Sequence, residues 1–184
     1  MAQTLLFTED YVYQNTQIND SVEAAKIYPY IRLAQDKWLE PLTGTELLNK
    51  IKADAAAGTI AGNYLILLDD YLRPLLVWRT CHELLPNINY KIDNGAIAQH
   101  NSDNTTSVGM TEMNRLIEDA KNNATYYEKR LHDYLCNNSA LFPEYSTNTG
   151  ADLSPRSQLG LNFDFSGNNT AMGRRQTRLN RYLP

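Results

Sequence analysis

The 184-residue chain is poor in the side chains that chemistry most often needs: two cysteines, Cys81 and Cys136, and three histidines, His82, His100 and His132. Two distant cysteines, each inside a helical pattern, make no disulfide framework and point to a reducing compartment. The histidines fall in separate segments. His82 beside Cys81 and Glu83 is a neighbourhood in sequence only, because adjacent helix positions project in different directions, so no metal and no cofactor is expected. The chain has no glycine-rich phosphate loop, no H-E-x-x-H, no paired C-x-x-C and no Ser, Cys or His arrangement that marks a nucleophile. Asp69-Asp70 reads as a solvated polar stripe rather than an acid pair. The expectation is a protein that is not an enzyme. No long apolar run is free of charge, and the opening MAQTLLFTED has neither the basic start nor the apolar stretch of a secretion signal. Asn-x-Ser/Thr matches at Asn104, Asn123, Asn137 and Asn168 then follow from an asparagine-rich composition alone. A net charge of −4 is too mild for a dedicated nucleic-acid binder.

What the chain does have is helical periodicity. Between Asn63 and Leu85, Tyr64, Leu68, Tyr71, Leu75 and Trp78 share one line, with Leu65, Leu72 and Leu76 beside it. Asp69, Asp70, Arg73, Thr80 and Glu83 are left as a narrow polar stripe. A helix apolar around most of its girth has to be surrounded by others, so this is the expected centre of the domain. Pro74 inside it predicts a kink about one turn upstream. Before it, Asp20 with Glu23 makes a capping box for a helix starting near Ser21. That helix buries Ile27, Tyr30, Ile31, Ala34 and Trp38, meets Pro29 as a kink or a first turn, and ends at Pro41. Thr43 with Glu46 makes a second box for a helix through Ala57, closed by Gly58 as C′ residue. Residues 4–17 read as irregular, with at most one helical turn.

After Pro86 the period changes. Ile88, Tyr90 and Ile92 alternate with polar residues, and Asn94-Gly95 separates them from Ala96-Ile97-Ala98-Gln99, a hairpin signal near 88–99 of the type I′ kind. A long helix is expected from about Met110 to Asn137, with Met113, Leu116, Ile117, Ala120, Ala124, Tyr127, Leu131, Tyr134 and Leu135 inward. LFPEY at 141–145 closes the body. The aromatic side chains of these helices, Trp38, Trp78, Tyr126 and Tyr127 among them, read as core and interface packing.

The expected fold is therefore mainly α: a bundle of about four long helices with a small hairpin over residues 1–145, followed by an extended C-terminal arm over 146–184. The arm turns Ser-, Asn- and Gly-rich, yet Leu159, Leu161, Phe163 and Phe165 alternate with Gly160, Asn162 and Asp164. That is one strand with an apolar face, and a lone strand needs a partner. Beyond it come Arg174, Arg175, Arg178 and Arg181. The body carries 12 Lys+Arg against 19 Asp+Glu, the arm 5 Arg against 2 Asp. An acidic body with a basic tail suits docking on another acidic surface. The arginines are read either as contacts to carboxylates of a protein partner or as contacts to nucleic-acid phosphates, with a solvated tail as the plain alternative. A small helical nucleic-acid-binding or regulatory protein is the rival reading, which salt-sensitive DNA binding by the monomer would favour.

QNTQINDSV at 14–22 and IYPYIRLAQDKWLEPLTGTELLNKI at 27–51 resemble the opening of head–tail connector (adaptor) proteins of tailed bacteriophages, of the kind found in phages of gut Bacteroidetes including the crAss-like group. The Asn94-Gly95 hairpin, the helix from Met110 and LFPEY at 141–145 resemble the family's later half. The resemblance covers about residues 4–145. It implies a helical subunit repeated around a ring of twelve copies, stacked on the portal and other neck or tail proteins, enclosing DNA without sequence-specific binding. The implied location is the virion neck, and the host cytoplasm during assembly. The long arm departs from the simplest connectors and leaves the layer open.

Overall fold

The computed structural model describes residues 4–88, 90–93, 96–99, 109–146 and 152–155, with 90–93 and 96–99 described by backbone alone. Among these residues the chain is mainly helical. Helix α1 is Glu9–Asn15, two turns where the sequence suggested one at most. Helix α2 spans residues 24–43, as an α-helix over Ala24–Ala34, a π-turn over Gln35–Leu39 and a last α-turn over Glu40–Thr43. Helix α3 is Thr45–Ala57. Helix α4 spans residues 63–84 and repeats the plan of α2: α over Asn63–Leu67, π over Leu68–Leu72, α over Arg73–Leu84. Helix α5 is Met110–Asn137 and the short α6 is Pro143–Ser146.

Both π-turns sit immediately upstream of a proline. Pro41 and Pro74 have no N–H, and a proline ring collides with the carbonyl four residues earlier in a regular α-helix. Widening that turn by one residue relieves the collision. The backbone N–H of Glu40 then reaches the carbonyl of Gln35, and that of Arg73 the carbonyl of Leu68. Pro41 therefore does not end α2; the helix continues through it to Thr43.

One extra residue per turn rotates everything upstream of the bulge by about 100°. In α4 this exchanges the buried residues. Leu67 and Leu68 are fully buried with Leu72, Leu75 and Leu76, whereas Leu65 is 39% and Ile66 46% exposed. The apolar line expected to include Leu65 is thus corrected: in a straight α-helix Leu65, Leu68 and Leu72 share a face, and with the bulge Leu67 takes the inward place. Downstream, Thr80 leaves the expected polar stripe and is buried, as is Arg79. The same shift in α2 puts Ile27, Ile31, Ala34 and Gln35 in line with Leu39, Leu42 and Thr43.

Neither expected capping box forms. Helix α2 starts at Ala24 after Glu23 without a side-chain cap. At α3 the capping position is Gly44, while Thr43 is buried and its hydroxyl donates to the Leu39 carbonyl at 3.1 Å. Gly58 does close α3 in the left-handed region at φ 66°.

The core is one cluster around α4, which packs between α2 and α5. Helix α5 runs antiparallel to α4: Tyr134 stacks on Tyr71 with ring centroids 4.0 Å apart, and Arg79 meets Glu128 further along. Ala120, Ala124, Leu131 and Leu135 form its buried stripe. Each fully buried aliphatic side chain contributes roughly 1.5–3 kcal/mol. Arg130 donates to the carbonyl of Asp70 at 3.2 Å, the group that would have bonded to the missing N–H of Pro74.

The backbone of Tyr90–Asp93 runs antiparallel to that of Ala96–Gln99, with Tyr90 opposite Gln99 and Asp93 opposite Ala96. Asn94 and Gly95, on which the type I′ reading rests, lie outside the described residues.

Candidate functional site

The arm strand Leu159, Leu161, Phe163 and Phe165 and the arginines Arg174, Arg175, Arg178 and Arg181 all lie outside the described residues. The described part of the chain after Ser146 is 152–155, and it lies against the body. The Leu153 amide donates to the Thr45 hydroxyl at 3.0 Å, and the Thr45 amide donates to the Leu153 carbonyl at 3.1 Å. Gly44, at φ +76°, faces Pro155 so closely that a Cβ there would lie 2.8 Å from the proline Cδ. Glycine is required at this point twice over, for its backbone angle and for the contact.

The N-terminal segment is pinned at both π-turns. Gln35, buried in the first, accepts the Leu6 amide at 2.9 Å and donates to the Thr4 carbonyl at 3.3 Å. Arg73, just after the second, donates through Nε to the Leu6 carbonyl at 3.0 Å and pairs with Asp69. Polar groups buried in this way need partners, and the chain's opening residues supply them.

A groove of about 500 Å³ lies between the segment that follows α1, the C-terminal half of α4 and the N-terminal half of α5. Its apolar lining is Ile18, Val22, Trp78, Leu85, Leu116 and Ala120, with amides from Gln17, Asn19, Asn122 and Asn123 and the Asp119 carboxylate around them. This volume lies within the range of ligand pockets, roughly 300–1,000 Å³. Cys81 also lines it, and burial pushes its thiol up to about 12, so it meets the groove as a small apolar group.

On another face of α4 a charged cluster is enclosed. The Arg79 and Glu128 side chains, only 5% and 12% exposed, pair directly. The Arg79 guanidinium also lies 3.8 Å from the centre of the Trp38 ring, close enough for a cation–π contact. Glu83 accepts from Lys37 at 2.7 Å and from the Trp38 indole at 2.8 Å. Burial raises the Glu83 carboxyl, but these two donors outweigh it and hold the group below its ordinary value. His82 is lowered, first by burial and then by Arg79 and Lys37, against the pull of Glu83. Trp38 is thus held by a hydrogen bond to Glu83 and a cation–π contact with Arg79 as much as by the apolar contact its spacing suggested. The signal for this cluster was present: Arg79 follows Leu75 by four residues and so shares the buried line.

At the opposite end of α4, Tyr64 donates to Glu144 at 2.7 Å and packs edge-on against Phe142, 5.4 Å between centroids. Burial and then Glu144 push the Tyr64 hydroxyl up to about 12. This fixes LFPEY onto α4. Cys136 and His132 lie one turn apart, Sγ to Nε2 3.6 Å. Among the described residues no group of three or more His, Cys, Asp or Glu is arranged to hold a metal, and no helix is long and apolar enough to cross a membrane.

No curated protein matches the chain, and no solved structure does. A family model does match, over residues 39–154, a span that starts at the end of the first π-turn and reaches into the docked stretch 152–155. This span is more than half of the chain, which belongs to DUF6712, a family of unknown function.

Proposed function

We propose that this chain is a structural subunit of a tailed-phage neck, assembling with copies of itself into a ring that joins portal to tail and continues the DNA channel. The observation that carries the reading is the placement of exposed apolar side chains. Leu65, Ile66 and Leu141 lie at the α4 end where Tyr64 meets Phe142, whereas Met110, 67% exposed, opens α5 at the far end and Tyr126, 65% exposed, lies near its middle. Sixteen residues of helix between Met110 and Tyr126 span about 24 Å. A ring needs two different surfaces that meet between neighbours, repeated by a closing rotation, and apolar side chains at both ends of one rigid helix pair suit that requirement. The resemblance of residues 4–145 to phage connectors supports the same reading and adds twelve copies, the portal partner and the virion location. In it the 88–99 hairpin and the arm strand are available as pairing elements, and the arm's arginines meet acidic surface.

The test is assembly. Purified full-length protein, alone and with its portal and neck proteins, is expected to give closed rings by electron microscopy. Leu65→Asp with Ile66→Asp, and separately Tyr126→Asp, are expected to return it to monomer with unchanged helical content. Rings that persist in both variants, or a virion reconstruction without this chain at the portal axis, would remove the proposal.

A further inference from the structure

We infer that the groove between the Thr16–Val22 segment, α4 and α5 is the seat of the strand Leu159–Phe165 from a neighbouring copy. The inference rests on the ring reading and identifies its contact. Three features of the groove fit this occupant. Its lining joins the apolar side chains of Trp78, Leu85, Leu116 and Ala120 to the amides of Gln17, Asn19, Asn122 and Asn123, all four of them exposed. An extended segment whose side chains alternate presents Leu159, Leu161, Phe163 and Phe165 to such a lining. Its backbone N–H and carbonyl groups find donors and acceptors in the side-chain amides of Gln17, Asn122 and Asn123, and a donor in that of Asn19, whose oxygen already accepts from Ser21.

Charge and chain length point the same way. Around the groove, residues 16–26 and 112–123 hold the carboxylates Asp20, Glu23, Glu112, Glu118 and Asp119 against the cations Lys26, Arg115 and Lys121. Lys26 pairs with Glu23 and Lys121 with Glu118, which leaves Asp20, Glu112 and Asp119 against Arg115. Downstream of the strand the arm brings Arg174, Arg175, Arg178 and Arg181. The chain is held to its own body up to Pro155, and only three residues separate Pro155 from Leu159. Pro155 is thus a fixed point at the α2–α3 junction, and an extended chain gains at most ~3.6 Å per residue. Groove and arm are different surfaces, the pairing that a closed ring requires between one copy and the next.

The experiment uses full-length chains carrying Cys136→Ser, so that the remaining native thiol, Cys81, is buried. One population carries Asn123→Cys on the groove lip and the other Asp164→Cys in the strand. On mixing under mild oxidation, a disulfide between the two chains is expected to form about tenfold faster than with a control population carrying Ala56→Cys on α3, because docking raises the local concentration of the pair. Adding Phe163→Asp and Phe165→Asp to the strand population is expected to abolish that advantage. Equal rates for Asn123→Cys and Ala56→Cys overturn the proposal. So does a disulfide that forms only when both cysteines are placed on one chain, which would seat the strand in its own body. Light scattering on the same samples separates the two levels. Oligomers that persist without preferential linking refute the groove assignment and leave the ring; monomers at every concentration refute both.

Discussion

Replacing Leu67 and Leu65 separately with alanine tests the π-turn of α4 most directly, because the two helical geometries assign opposite costs. In the structure Leu67 is fully buried and Leu65 is 39% exposed. Leucine-to-alanine changes at fully enclosed sites cost roughly 2.7–5 kcal/mol, part lost transfer energy and part the cavity left behind. Leu67→Ala is therefore expected to cost about 3 kcal/mol. At roughly 2–4 °C per kcal/mol for a chain of this length, its melting temperature should fall by about 6–12 °C. Leu65→Ala leaves no enclosed cavity and should cost under about 1 kcal/mol. The assay is urea unfolding followed by far-ultraviolet circular dichroism, with equal m-values as the check that only stability has changed. A straight α-helix would reverse the ranking, since Leu65 would then align with Leu68 and Leu72. A result in which Leu65→Ala costs as much as Leu67→Ala, or more, refutes the bulge and the burial pattern built on it.

Four further expectations can be checked by the same melts. Glu128→Ala should cost about 3–5 kcal/mol by leaving Arg79 buried and unpaired, while Arg79→Met with Glu128→Met should recover most of that loss; additive costs in the double variant would contradict a coupled pair. Thr80, buried with no hydrogen-bond partner for its hydroxyl among the described residues, should become Val with a gain of up to about 1 kcal/mol, and a fall in midpoint would reveal a partner for that oxygen. Gly44→Ala should lower the melting temperature and speed protease cleavage near Asp152, because its Cβ cannot share space with Pro155; unchanged cleavage would show that the contact is dispensable. His82 is lowered from 6.5 by burial, so the unfolded chain takes up its proton first. Stability should thus fall as pH drops below about 6.5 through the lower folded value. Between pH 7.5 and 5.5 His82→Gln should show a smaller decline than the parent, and equal declines would refute the assignment.

Helix α5 was readable because its three-four repeat from about Met110 to Asn137 contains no proline and no glycine, and Gly58 announced the left-handed end of α3. The widened turns were legible only by half. Pro74 signalled a distortion one turn upstream, but whether a helix absorbs a proline by kinking or by inserting a residue depends on what receives the freed groups. In α4, Arg130 receives one of them from another helix. That choice decides between Leu65 and Leu67, so local spacing could not. The capping boxes failed for a similar reason, since Thr43 is drawn into the core with Leu42 and Gly44 takes over the cap. The groove draws its walls from three stretches separated by roughly 60 and 30 residues, and no local pattern announces a surface assembled that way.

The clamp on the opening residues also sets a timetable for synthesis. Leu6 is held by Arg73, 67 positions later in the chain. A ribosome adding about 5–20 residues per second needs roughly 3–13 s to make the second half of that clamp once the first has left the peptidyl centre. Throughout that interval Leu5, Leu6 and Phe7, made before α4, have no finished pocket to enter. A segment made well before its partner thus settles only after it, and it stays available to holding chaperones until α4 is complete.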